Sequence, residues 1–321
     1  MPANVMVPLD GSTFAEQALP LALGLCRRSG ARLHLVFVRA SLPVDWPGGY
    51  GRKYLDGIAA GIESELPGRI SHMVVMDELA PLEYPPPASN AVADVLLRHA
   101  RECDADLILM TTHGHGGIRR AWLGSVADSL IRISTLPILL LRPSDDSFTI
   151  AAAADRGISH VVVPLDGSAA GEKALAQAER IGAVFGARYT LVRVTSPLAW
   201  ELAPQSWTSP GPPEMPPLSR QMVADYLERT AAPMRERGLA VATQVLDGIS
   251  PASAILDFAQ THAVDLIAMS TAGAGGIRRL LLGSVADKLV REGVVPMLVC
   301  NRSLVEEPEA AAATAVEEAT A

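Results

Sequence analysis

One hexapeptide occurs twice in this chain. Val7-Pro8-Leu9-Asp10-Gly11-Ser12 returns as Val163-Pro164-Leu165-Asp166-Gly167-Ser168, 156 residues further on. Gly116 to Arg120 returns as Gly275 to Arg279, and Gly124-Ser125-Val126-Ala127-Asp128 returns as Gly283 to Asp287, both 159 residues on. The copies keep their order, and the period is far longer than any solenoid repeat. Each copy is therefore a complete domain, and the chain is a tandem duplication. A length of 321 residues suits two domains as well. The expected organisation is a first domain over 1–143, a linker over 144–157, a second domain over 158–302 and an acidic, alanine-rich tail over 303–321. Pro143-Ser144-Asp145-Asp146-Ser147 and the alanines from Ala151 to Ala154 interrupt the apolar pattern at the linker.

Within each half, short apolar runs alternate with helical patterns. Val5 to Leu9 reads as a strand closed by Asp10-Gly11. Ser12 then stands where an N-cap belongs, with Thr13 and Glu16 in capping-box spacing, and a helix runs to about Arg28 before Gly30. Strands follow at Leu33–Val38, Ile70–Met76, Leu107–Met110 and Ile138–Leu141, with helices at Ala91–Glu102 and Ser125–Ile133. The second half repeats the script, with strands near His160–Leu165, Tyr189–Val194, Ala240–Leu246, Leu266–Met269 and Val295–Val299. Such alternation requires right-handed crossovers and a mostly parallel sheet covered on both faces. Unbroken apolar strands such as Leu107-Ile108-Leu109-Met110 fit burial on two sides. The fold class is α/β, two tandem doubly wound, Rossmann-like sandwiches. Ser41 to Tyr50 and the proline-rich stretch Ser196 to Leu218, which carries Trp200 and Trp207, read as loops.

Composition narrows the partners. Hydrophobic residues make up 49% and charged residues 19%, enough apolar material for a core in each half. The net charge of −8 opposes a nucleic-acid binder, which needs a basic excess to displace counterions. It leaves a small anionic ligand open, because one local pocket can be positive on an acidic protein. No apolar run approaches the ~18 residues of a membrane span. No basic residue precedes Arg27, so no secretory leader is expected. Cys26, Cys103 and Cys300 are too few and too scattered for a disulfide framework or a zinc site. The expected location is the cytoplasm.

In an open parallel sheet the ligand lies beyond the carboxyl ends of the strands, where strand order reverses. The repeated motifs fall at those ends. Pro8-Leu9-Asp10-Gly11-Ser12 follows the first strand. Met110-Thr111-Thr112-His113-Gly114-His115-Gly116-Gly117 follows the fourth, and Gly124-Ser125-Val126 opens a helix. The second copy reads Met269-Ser270-Thr271-Ala272-Gly273-Ala274-Gly275-Gly276, then Gly283-Ser284-Val285. Glycines let backbone N–H groups approach a phosphate, and a helix N-terminus completes an anion cradle. Ser125 and Ser284 are expected to be the N-caps of those helices. A carboxylate is a poor phosphate ligand, so Asp10 and Asp166 are placed at a ribose hydroxyl or an adenine amino group. The alternative is that each is an Asx-turn residue capping the next helix. Phosphate at one loop and sugar or base at the other describe a mononucleotide.

The motifs resemble those of the universal stress proteins of the UspA type, in two copies covering nearly everything except the linker and tail. Nucleotide-binding members of that family carry Gly-x2-Gly-x9-Gly-(Ser/Thr). Here Gly114 with Gly124-Ser125, and Gly273 with Gly283-Ser284, match its later positions. Thr111 and Ser270 stand where the first glycine belongs, which puts one backbone–phosphate contact in question. The resemblance implies ATP as ligand, alone or with Mg2+. It implies that Pro8, Asp10, Val38 and Met110 line the nucleoside end, with Pro164, Asp166, Val194 and Met269 in the second copy. Thr111, Gly114, Gly117, Gly124, Ser125 and Val126 would hold the phosphates, and Ser270, Gly273, Gly276, Gly283, Ser284 and Val285 likewise. It further implies five strands per sheet and antiparallel pairing between the last strands, near Ile138 and Met297; pairing of two chains stays open.

Other residues divide between two readings. Arg119, Arg120, Arg278 and Arg279 could reach a γ-phosphate or be solvated loop charges. His113 and His115 give way to Ala272 and Ala274, so whatever they do belongs to the first site. No P-loop, dinucleotide fingerprint or nucleophile elbow occurs, and Lys53, Lys173 and Lys288 are the only lysines. No metal site or dedicated catalysis is indicated. The leading expectation is a nucleotide-responsive stress-response protein. A scaffold without nucleotide and a slow ATPase are the alternatives.

Overall fold

The computed structural model describes residues 1–38, 49–75, 91–112, 123–143, 157–195, 220–271 and 282–300. In the N-terminal half the elements are β1 (Asn4–Leu9), α1 (Thr13–Glu16), α2 (Leu19–Ser29), β2 (Arg32–Val38), α3 (Tyr50–Ile62), β3 (Ile70–Val75), α4 (Ala91–Glu102), β4 (Leu107–Thr111), α5 (Ser125–Ile133) and β5 (Ile138–Leu141). The C-terminal half has β6 (His160–Pro164), α6 (Ala169–Phe185), β7 (Arg188–Thr195), α7 (Arg220–Glu236), β8 (Val241–Asp247), α8 (Pro251–Thr261), β9 (Leu266–Ser270), α9 (Ser284–Glu292) and β10 (Met297–Cys300). The expected linker and tail lie outside the described residues, apart from Gly157, the linker's last residue.

Ten strands form one sheet in the order β3-β2-β1-β4-β5-β10-β9-β6-β7-β8. Pairing is parallel within each half and antiparallel at the centre, where Leu139 faces Leu298. β1 pairs with β2 on one side and with β4 on the other, so strand order reverses between β1 and β4. The same reversal falls between β6 and β9.

Side chains alternate across the pleat and fill two cores. Val5, Val7 and Leu9 join Val161, Val163 and Leu165 on one face, beneath α2, α3, α6 and α7. Met6 and Ile108 join Val162 and Ile267 on the other, beneath α4, α5, α8 and α9. Each core runs through both halves. The central strands β4, β5, β9 and β10 are buried at every residue, as strands covered on both sides must be. The edge strands β3 and β8 are largely exposed.

Two expectations change. The single helix expected after Ser12 is broken into α1 and α2, whereas its counterpart α6 is continuous. Pro20 explains the break, because its ring has no N–H to donate to the preceding turn; the corresponding residue of α6 is Ala176. The stretch read as a loop to Tyr50 ends earlier, since Tyr50 opens α3. The rest of that stretch and Ser196–Leu218 lie outside the described residues.

Candidate nucleotide-binding site

At the carboxyl end of β1, Asp10 Oδ1 accepts hydrogen bonds from the Ser12 backbone N–H at 3.0 Å and the Ser12 hydroxyl at 2.6 Å. Ser12 Oγ in turn accepts the Ala15 N–H at 3.1 Å, capping α1. The second copy repeats the arrangement. Asp166 Oδ1 accepts from Ser168 N–H at 2.9 Å and Ser168 Oγ at 2.6 Å, and Ser168 Oγ accepts the Gly171 N–H at 3.0 Å. The Asx-turn role of both aspartates is thus present. It orients each carboxylate at the strand end. Gly11 and Gly167 carry φ values of +83° and +85°, a left-handed turn that side chains resist.

Beside this turn, β4 ends on Thr111, and Gly124 lies against Thr112. The Gly124 N–H donates to the Thr112 carbonyl at 2.7 Å, and the Gly124 carbonyl accepts the Asp128 N–H at 2.9 Å. Gly124 therefore is the N-cap of α5, and Gly283 is that of α9; both have extended backbone. Ser125 and Ser284 are not the caps expected. They occupy the first helical position, are exposed, and make no cap bond, because the tie from the glycine to the threonine turns the chain into the helix one residue earlier. Among the described residues no side chain caps the first turn of either helix, whose N–H groups form the positive end of its dipole. Asp128 and Asp287, in those first turns, are held by Arg132 at 2.9 Å and Arg291 at 2.8 Å one turn on.

The apolar candidates gather on one face. Met110 and Met269 are buried in the core beneath α4, α5, α8 and α9, and Val126, Val194 and Val285 pack against it. Pro8 and Pro164 are half-buried at the ends of β1 and β6. Val38 is the last residue of β2, in register with Val75. Thr111 and Ser270 are buried, paired with Leu141 and Cys300. Gly114, Gly117, Gly273 and Gly276 lie outside the described residues, as do His113, His115 and Arg119, Arg120, Arg278 and Arg279.

Three residues near these sites were not singled out from the sequence. Thr112 and Thr271 supply the carbonyls that fix the two cap glycines, at 2.7 and 3.2 Å. Their recurrence at the repeat spacing was the available signal. Arg193 packs against Gly167, its guanidinium standing where a Cβ would be, and lies over the Tyr226 ring at 5.1 Å. The corresponding residue of the first half is Phe37, in contact with Tyr50 and Tyr54. The position is thus basic in the second half where it is aromatic in the first. Burial pushes the Cys26 and Cys300 thiols up to about 12, which removes both as nucleophiles at neutral pH. Among the described residues no helix is long and apolar enough to cross a membrane.

Comparison with known proteins agrees with this architecture. The profile of the universal stress protein family matches residues 88–142 and 157–301. A universal stress protein of Methanocaldococcus jannaschii is 31% identical over 144 residues, 44% of this chain and 81% of the relative. Among solved structures, a universal stress protein from Archaeoglobus fulgidus superposes with a TM-score of 0.58 at 19% identity, covering 93% of this chain and 96% of that one. A Pseudomonas aeruginosa protein of unknown function gives 0.63 at 14% identity, covering 99% and 97%. Those two likenesses concern the fold, and the family match concerns the sequence itself: the chain belongs to the universal stress protein family.

Proposed function

We propose that each half binds an adenine nucleotide, ATP, at the reversal of strand order, and that the protein is a nucleotide-responsive module of the cytoplasmic stress response. One observation carries this reading. An oriented carboxylate and a helix N-terminus opened by a glycine, with no side-chain cap among the described residues, stand at the ends of adjacent strands β1 and β4, and again at β6 and β9. Such a crevice is where open α/β sheets take ligands. Phosphates would lie against the first turns of α5 and α9, and the nucleoside toward Asp10 or Asp166. Among the described residues no three acidic, histidine or cysteine side chains gather to hold a metal ion, so Mg2+ would enter on the phosphates. The scaffold reading draws on Thr111 and Ser270, whose side chains occupy the place of a phosphate-contacting glycine.

The test is direct. Freshly purified protein is denatured and its supernatant resolved by ion exchange, and stripped protein is then titrated with ATP in a thermal shift. One to two adenine nucleotides per chain are expected. At 100-fold excess over Kd, ATP should stabilise the fold by about 2.7 kcal/mol, a rise in Tm of about 5 °C. Asp10→Ala and Asp166→Ala should each lower the bound stoichiometry or affinity. A flat titration with an empty supernatant would leave the scaffold reading.

A further inference from the structure

Because β5 and β10 run antiparallel while each half is wound in the same hand, the strand ends of the two halves point to opposite edges of the sheet. A crossover helix must therefore travel from its own half's site to the edge that holds the other. Helix α9 does this. It begins at Gly283, tied to Thr271, and ends at Gly293 after nine residues, a rise of about 13 Å. At its far end, Val290 and Gly293 line a small cavity together with Thr112 and Arg142 of the first half. Thr112 is the residue whose carbonyl anchors Gly124, the N-cap of α5.

The return connection runs along α5. Asp128 pairs with Arg132 at 2.9 Å, one turn further along that helix. Arg132 is kept charged first by its hydrogen bond to Asp128, and the charge of Asp287 in the first turn of α9 adds to it. Asp287 pairs in turn with Arg291 at 2.8 Å. The last turn of α5 thus feels the first turn of α9, and the last turn of α9 meets the anchor of α5.

We infer that the two nucleotide sites are energetically coupled through the α5–α9 pair, so that filling one changes the affinity of the other. The inference rests on the nucleotide reading above. Gly293 and Thr112 line the same small cavity, so a displacement of α9 toward a phosphate at its first turn alters the packing beside Thr112. Packed helices transmit such shifts as rigid bodies, which is how two sites come to share a coupling free energy. Arg142 stands at this junction in the first half, where the repeat spacing puts Asn301 in the second. The two directions of entry are therefore not chemically identical.

The test uses the full chain and ATP as the probe. Calorimetry on the unmodified protein yields the overall constant for double occupancy. Gly283→Val and Gly124→Val each leave one site and yield the separate constants; a Cβ at 283 would meet nothing closer than the Thr271 carbonyl at 3.4 Å, so the fold should tolerate it. The overall constant divided by the product of the two separate ones is the coupling factor. It is expected to differ from one by about fivefold or more, and to move toward one when all three constants are measured again in the Arg132→Gln background, which removes the pairing with Asp128 of α5. A second readout guards against a misfolded variant. In Gly283→Val, ATP at the remaining site should alter hydrogen exchange of the amides of Val285 to Asp287, at the opposite end of α9. A factor of one with unchanged exchange and intact ATP binding overturns the coupling alone. Absence of ATP binding in the unmodified chain overturns the coupling and the nucleotide reading together.

Discussion

His34 and His160 show how one residue pair can be rebuilt after duplication. His34 on β2 bonds Asn4 on β1 at 3.2 Å, while His160 on β6 bonds Thr190 on β7 at 2.8 Å, so the imidazole has changed strands between the copies. Burial lowers the pKa of both, with His99 and Arg32 adding at His34, and Arg188 adding at His160 against the opposing His262 carbonyl. A histidine whose folded pKa is depressed binds fewer protons in the folded chain than in the unfolded one. Its full stability contribution is present above about pH 6.5 and is lost as pH falls from there toward the folded pKa. Urea midpoints should therefore decline between pH 7 and 5.5, at a slope of up to about 1.4 kcal/mol per pH unit for each proton taken up. His160→Asn, which restores the first half's residue type, should decline less. Parallel curves for the two proteins would refute this assignment. The spacing of the chain contained both histidines, but nothing local distinguished a buried imidazole from a surface one.

Helices differed in how readily their pattern could be read, and their glycines and prolines account for it. α4 and α5 carry an apolar stripe, and their limits agree with the expectation. α3 was hidden by Gly49, Gly51, Gly57 and Gly61, residues of low helix propensity. Gly51 is there because a Cβ would come within 2.8 Å of the Phe37 ring, a contact no local pattern announces. α7 was hidden by Pro233 in its interior. The turn after α8 has the opposite problem: Ala263 adopts φ +48°, a conformation that costs an L side chain about 1 kcal/mol. Ala263→Gly should raise stability by roughly 0.5–1 kcal/mol, and Gly186→Ala, at φ +66°, should lower it by a comparable amount. Chemical denaturation of the two variants checks both signs. A destabilised Ala263→Gly would mean the methyl group contributes packing that outweighs its strain.

The whole molecule is joined more tightly than two domains on a linker would be. Both cores pass through the central pair β5–β10. Arg28 stacks over Phe185 at 5.2 Å, and Arg180 of α6 reaches Asp106 at 2.9 Å, the carboxylate that also receives the Ala3 N–H at 2.8 Å. The two halves should consequently unfold in one calorimetric transition. Leu139→Ala, at a fully buried position opposite Leu298, should cost about 2–5 kcal/mol and lower that single transition without splitting it. Two resolved transitions, with only the first half shifted, would show that the seam does not bind the halves into one cooperative unit.

The sequence by itself determined the duplication, the alternation of strands and helices, and the strand-end position of Asp10 and Gly124 with their copies. Each is set by spacing along the chain: a period of two or 3.6, a left-handed glycine, a side chain within reach of the next turn. It also led to Ser125 and Ser284 as caps, where the structure has Gly124 and Gly283. That outcome depends on a carbonyl from Thr112 or Thr271, more than ten residues away in the chain, which decides where the helix begins. How the two halves meet was expected only from the family resemblance, and the tertiary structure bears that expectation out; the residues themselves do not carry it. A four-residue apolar strand such as Ile138–Leu141 carries no mark of its partner, and the antiparallel pairing with Met297–Cys300 arises because that arrangement lets both faces of the seam be buried at once. From that one pairing follow the continuous cores, the opposed sites, and the helices that run from one to the other.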